Sequence, residues 1–112
     1  MPLISRPFLL ALVITSFAAL PSLADDIKLS VTLKDHKFTP DRLEAPKDTK
    51  IEITVSNEDS TVDEFDSHDL KREKVIGGGK TGVVIVGPLA PGEYHFQGEY
   101  HAQTAQGVLV IK

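Results

Sequence analysis

The chain has no cysteine and no tryptophan, and its single methionine is Met1. Without cysteine it can form neither a disulfide nor a thiolate–metal bond, even in an oxidising compartment. Basic residues are in deficit, with 12 Lys and Arg against 16 Asp and Glu. That balance argues against a nucleic-acid partner, which needs clustered Lys and Arg to neutralise phosphates. It suits a metal cation or a basic patch on another protein, although plain solubility explains an acidic surface equally well. Sustained helical periodicity is missing too. The one long apolar stretch, Phe8 to Ala19, has about 12 residues, where a membrane-spanning helix needs roughly 20.

That stretch has another use. Arg6 precedes it and Ser22-Leu23-Ala24 follows as a small-x-small site, the pattern of a secretory signal cleaved after Ala24. The expected mature chain, 25–112, is one small domain of 88 residues. Its 11 basic and 16 acidic residues give a net charge of −5 with histidines neutral. A secreted domain of this size without disulfides needs a good core, a metal or a partner to be comfortably stable.

What is present is alternation. Ile27, Leu29, Val31 and Leu33 hold odd positions, the mark of a half-buried strand. Phe38 falls on an even one, so the phase flips between Lys34 and Lys37, and a bulge or short loop is expected near His36. Ile51, Ile53 and Val55 alternate again up to the turn-forming cluster Ser56 to Ser60. Val83 to Val86 reads as a strand buried on both faces. Pro91-Gly92 makes a turn, Tyr94 and Phe96 are expected to be buried on one side, and Val108 to Ile111 ends the pattern. Leu70 to Val75 reads as a turn of helix or an irregular edge. About seven short strands in 88 residues predict an all-β fold, a Greek-key β-sandwich.

Residues 91–107 carry a more specific signal. Pro91, Gly92, Tyr94, Phe96, His101 and Gly107 fall in register with the cupredoxin copper loop, Pro-Gly-x-Tyr-x-Phe-x-Cys-x-x-His-x-x-x-Met-x-Gly. Gly98 stands where that pattern has cysteine and Ala105 where it has methionine. Phe38-Thr39-Pro40 with Leu43 resembles the opening of the same family. Ile51 to Asn57 resembles the strand that precedes its first copper histidine, and Asp63-Glu64-Phe65 stands where His-x-Phe commonly follows. Glu64 to Ser67, Leu70 to Val75, Gly87-Pro88-Leu89 and Gly98 to His101 with Thr104 to Gly107 resemble small periplasmic cupredoxin-like proteins of bacterial iron-permease systems. The resemblance implies a cupredoxin-like fold and a periplasmic location. It further implies copper (possibly iron) as cofactor, and a role in ferrous iron uptake through copper-dependent iron oxidation or electron relay. The implied partners are a periplasmic iron-binding protein and a membrane iron permease, the chain itself not spanning the membrane.

In that fold the loop after Asn57 and the loop around His101 meet at one end of the sandwich, and the bulge near His36 is expected to approach the same end. The candidate metal ligands are therefore His101, Glu64, Glu99, His36 and His68, with Asp66 a weaker one, since Asp in such a loop often caps backbone instead. A blue-copper site is excluded, because its trigonal His₂Cys plane cannot be built; imidazole with carboxylate suits Cu(II), Fe or Zn. His95 alternates with Tyr94 and Phe96 and should face outward. Gly77-Gly78-Gly79 lacks the continuation of a phosphate loop and reads as a turn. Ser67-His68-Asp69 are adjacent and cannot face one another as a catalytic triad. Arg72-Glu73-Lys74 reads as a solvated charged edge. Two other readings stay open: a metal-free β-sandwich adaptor that binds a partner protein, and a copper chaperone without redox turnover.

Overall fold

The computed structural model describes residues 26–112, so the expected signal segment 1–24 lies outside the described residues. Within them the alternating stretches become β1 (Ile27–Lys34), β2 (Lys37–Thr39), β3 (Arg42–Ala45), β4 (Ile51–Asn57) and β5 (Asp63–Ser67), then β6 (Arg72–Ile76), β7 (Thr81–Val86), β8 (Gly92–Gly98) and β9 (Gln106–Ile111). A one-turn 3-10 helix, Glu99–His101, links the last two strands. One sheet has the order β2-β1-β4-β7 and the other β3-β9-β8-β5-β6. The β1–β4 and β3–β9 pairs are parallel and the rest antiparallel. This is the expected β-sandwich.

The phase flip has a simple cause. Asp35 and His36 both take positive φ, at 52° and 57°, and form a two-residue hairpin turn with Lys34 opposite Lys37. That turn sets Leu33 opposite Phe38, so an odd and an even position share the inner face. The short-loop alternative is the one realised, without a bulge. Asp59 pins the turn: its two carboxylate oxygens accept the backbone N–H of Asp35 at 2.7 Å and of His36 at 3.0 Å.

The inner faces meet in one core. Val31, Leu33, Phe38, Ile51, Ile53, Val55, Val84 and Val86 come from the first sheet; Leu43, Phe65, Ile76, Phe96, Leu109 and Ile111 come from the second. Phe96 stacks on Phe65 with centroids 5.0 Å apart and meets Phe38 edge-on at 5.1 Å, both favoured aromatic geometries. Gly107, opposite Phe96 on β9, has no side chain because a Cβ there would run into the Phe96 ring.

Three expectations need correction. Val83 to Val86 is not buried on both faces: Val84 and Val86 point inward, while Val83 and Ile85 are 48% and 45% exposed. β7 is an edge strand whose outer face meets no second layer, and β-branched residues favour a pleated strand whether or not both sides are covered. Leu70 to Val75 contains no helix; Arg72–Ile76 is a regular edge strand paired with β5. Its guanidinium-bearing first residue reaches across to the other sheet, Arg72 Nε donating to the Ile85 carbonyl at 3.0 Å. Tyr94 is half-buried, packed against the core with its hydroxyl donating to the Ala90 carbonyl at 2.7 Å. A tyrosine near a strand start can bury its ring only if the hydroxyl finds a partner, and this one lies at the rim.

Asn57 ties the turns at one pole together. Its side-chain amide donates to the carbonyls of Thr61, Ile76 and Gly77 at 2.9, 3.1 and 3.3 Å, and its oxygen accepts the Asp59 N–H at 3.0 Å. The residue is only 1% exposed, so removing the amide leaves those groups unpaired. Asn57→Ala should lower unfolding stability by about 2–3 kcal/mol. Urea denaturation should show a lower midpoint with an unchanged slope; an unchanged midpoint would refute this role.

Candidate metal centre

Asp63, the first residue of β5, is the organising group at the His101 pole. Its side chain is 3% exposed. Oδ1 accepts the backbone N–H of Glu64 at 2.8 Å and of Tyr100 at 3.0 Å, and Oδ2 lies 2.9 Å from His101 Nδ1. The carboxylate thus ties β5 to the 3-10 turn. Motif comparison stopped at the missing histidine and gave Asp63 no role. The signal available was its position, because an inward-phase aspartate one residue before an outward glutamate must find partners if buried.

Gly98 leaves room for this carboxylate. A Cβ at Gly98 would lie 2.6 Å from Asp63 Oδ2 and 2.8 Å from the Ala105 methyl. Ala105 is fully buried. The positions of cysteine and methionine in the copper-loop pattern, and the position where the family's first copper histidine commonly stands, therefore meet as Gly98, Ala105 and Asp63. These residues do not fit a thiolate-ligated copper: the thiolate is absent and its place is closed. They do leave one imidazole at the pole, that of His101. The only buried side-chain nitrogen or oxygen without a hydrogen-bond partner among the described residues is His36 Nδ1, so His101 Nε2, which has no protein partner, is not fully buried, and the side chain is 26% exposed.

His36 lies face to face with His101, ring centroids 3.6 Å apart and planes 13° from parallel. An ion bound by an imidazole nitrogen sits close to the ring plane, about 2.0–2.1 Å from the nitrogen for zinc. Two stacked rings cannot both meet that condition, so His36 covers the His101 ring rather than sharing an ion with it in this arrangement. Its Nδ1 is 3.4 Å from Asp59 Oδ2, close enough for electrostatic attraction but not aligned for a hydrogen bond. Asp59 is held below its ordinary carboxylate range, first by the His36 backbone N–H.

Glu64 and Asp66 belong to a second group. Both are on strand β5 rather than in a loop, and their alternation with Asp63, Phe65 and Ser67 turns them to the outer face. The β5–β6 register sets Asp66 opposite Glu73 and Glu64 opposite Val75. Ligand oxygens of Glu64, Asp66 and Glu73 lie within 4.8 Å of one another. Glu99 joins them from the 3-10 turn, its carboxyl against Asp66 with Gln97 Nε2 3.4 Å from both. Glu73 had read only as part of a charged edge; the strand register brings it in. His68, in the turn after β5, lines a cavity of about 540 Å³ with Asp66, Glu73 and Glu99. Five residues at about 3.3 Å each separate it along the chain from Asp63. His95 faces outward.

The structure therefore divides the candidates. His36 and His101 meet at the pole, Glu64, Asp66, Glu73 and Glu99 form an acidic ledge on the adjoining outer face, and His68 borders the ledge at its far end. Asp63 joins the two, since one of its oxygens is bonded to the N–H groups of both Glu64 and Tyr100.

Comparison with known proteins fits this frame. The model of the cupredoxin-like domain matches residues 7–111. The chain belongs to the cupredoxin-like domain family. It is 44% identical over 85 residues to an uncharacterized protein of Rickettsia prowazekii, covering 76% of this chain and 68% of that one. Among solved structures, auracyanin A, a "blue" copper protein from Chloroflexus aurantiacus, superposes with a TM-score of 0.67 at 14% identity, over 78% of this chain and 99% of its own. The purple cupredoxin of Nitrosopumilus maritimus gives 0.59 at 16% identity, over 75% and 99%. The metal-binding domain of a Cu(I)-exporting P-type ATPase from Streptococcus pneumoniae gives 0.65 at 17% identity, over 76% and 84%. At such identities the likeness is one of fold.

Two tests follow from the geometry. Restoring the thiol alone, as Gly98→Cys, should destabilise the protein and give no intense thiolate absorption with Cu(II), because its Cβ meets Asp63 and Ala105; a strong blue band would show that the pole is open. On the ledge, hydrogen bonding and repulsion from Asp66 raise the Glu99 pKa above its ordinary 4.5. The folded state then holds that proton more tightly, so the associated stabilisation is full below 4.5 and lost as pH rises through the raised value. Carboxyl-carbon NMR should find Glu99 titrating above 4.5 and moving down in Asp66→Asn; titration at or below the ordinary value would disprove the coupling.

Proposed function

We propose that this cupredoxin-like chain is a periplasmic metal-binding protein that supports ferrous iron uptake. Its imidazole pole would hold copper and its acidic ledge would receive the iron substrate. The observation that carries the reading is the adjacency of two unlike donor sets, imidazole at His101 and four carboxylates at Glu64, Asp66, Glu73 and Glu99. Imidazole suits copper, whereas an all-oxygen set suits harder cations. Copper held at His101 would supply a one-electron acceptor for a ferrous ion, which leaves as Fe(III). Glu64, Asp66, Glu73 and Glu99 bind and orient the ion, their carboxylates being deprotonated when they do so. His36 shields one face of the His101 ring from water. A periplasmic iron-binding protein and a membrane iron permease are the proposed partners, on the strength of the motif resemblance.

Anaerobic mixing tests the reading. Purified protein loaded with one equivalent of Cu(II) should lose its Cu(II) spin-resonance signal on adding one equivalent of Fe(II), with matching formation of Fe(III). His101→Ala should abolish Cu(II) binding. Glu73→Gln should slow Fe(III) formation several-fold while still binding Cu(II). Retained Cu(II) signal in the presence of Fe(II) would reject electron transfer and favour the copper-chaperone reading. Absence of Cu(II) binding in the unsubstituted protein would favour the adaptor, for which the closure of the pole by Asp63, Gly98 and Ala105 is the supporting observation.

A further inference from the structure

The Asp63–His101 contact determines more than the placement of a ring. An ionised carboxylate only accepts hydrogen bonds, so it requires a proton on the nitrogen that faces it. Two backbone N–H groups, of Glu64 and Tyr100, already converge on Asp63 Oδ1 and occupy that oxygen as an acceptor. Oδ2 then faces His101 Nδ1 at 2.9 Å as an acceptor. A neutral imidazole carries one proton. With that proton on Nδ1, the lone pair is on Nε2, the nitrogen without a protein partner.

We propose that Asp63 is a positioning residue that fixes His101 as its Nδ1–H tautomer, makes Nε2 the metal-ligating atom, and thereby places the ion at the surface of the sandwich pole. The inference rests on the reading of His101 as a ligand. A histidine that donates its other ring N–H to a carboxylate is held in orientation and made a stronger base toward a metal. Here the carboxylate is the buried one that fills the space vacated by the cysteine side chain at Gly98. The carboxylate that closes the place of the thiolate is thus the same group that sets which imidazole nitrogen is free. The ion would lie beyond the ring, outside the space between Asp63, Gly98 and Ala105.

The Asn variant gives a sharp test because the backbone fixes its orientation. In Asp63→Asn, the N–H groups of Glu64 and Tyr100 demand the amide oxygen at the Oδ1 position. The NH₂ must then face His101 Nδ1, which can meet it only as an acceptor. The tautomer reverses, and the lone pair leaves Nε2.

Nitrogen-15 NMR of the metal-free protein at mildly alkaline pH should show His101 protonated at Nδ1 and bare at Nε2, and added Zn(II) should shift the Nε2 resonance. Asp63→Asn should reverse the protonation and weaken Cu(II) binding about 10–100-fold, the usual effect of losing such a partner. A proton on Nε2 in the unsubstituted protein overturns the proposal, as does an unchanged tautomer in folded Asp63→Asn. The unsubstituted measurement stands even if the variant does not fold. If the tautomer reverses but both Asp63→Asn and His101→Ala bind Cu(II) normally, His101 is not a ligand; the proposed function then fails while the hold of Asp63 on the ring stands.

Discussion

A buried carboxylate needs donors, and at Asp63 three converge from two chain segments that are far apart in sequence. Strand β5 supplies one N–H, the 3-10 turn supplies another, and the His101 ring supplies the third contact. Leaving such a charge unpaired in a side chain only 3% exposed would cost several kcal/mol. The contact therefore fixes where the turn sits against the sheet. Its consequences spread outward from there. Gly98 must lack a side chain, Ala105 must stay small, and the next outward residue on β5, Glu64, is delivered to the same face as Glu99. His36 then finds a flat partner in the ring that Asp63 holds still.

The same fold can thus carry a different set of side chains at its pole through a few positions. The strands, the aromatic contacts around Phe96 and the hairpin at Asp35-His36 are independent of what fills the pole. The family frame is set by Phe38, Asn57, Tyr94, Phe96 and Gly107, whereas the chemistry depends on Asp63, Gly98, His101 and Ala105. Because the second group packs as a unit, restoring one residue does not restore the pattern. A thiol at Gly98 meets obstacles that the neighbouring positions supply, the Asp63 carboxylate and the Ala105 methyl.

Much of the sandwich was legible in the residues because alternation of period two directly reports which face is buried. The phase flip at Asp35-His36 was legible for the same reason. Val83 to Val86 was misleading, since an unbroken β-branched run describes backbone preference and says nothing about whether a second layer covers Val83 and Ile85. The candidate ligands were expected to gather at one end, whereas the structure divides them between the pole and the ledge. Placing Glu64 and Asp66 in a loop hid their alternation, and Glu73 could be found only through the register that puts it opposite Asp66. Asp63 escaped because its role depends on the absence of a Cβ thirty-five positions away, a relation no local pattern records.

The reach of Arg72 to the Ile85 carbonyl has a bearing on solubility. Thr81–Val86 is an uncharged edge of high strand propensity, with Val83 and Ile85 bare on its outer face. Such an edge is a template on which another extended chain can add by backbone pairing, the first step of fibrillar aggregation. Arg72 occupies one of the free acceptors along it and sets a cation beside the rest. An added strand would have to displace the guanidinium and desolvate its charge. Arg72 at Ile85 and the Lys74 stem beside Gly82 thus set two cations of the opposite sheet along a border that would otherwise be adhesive.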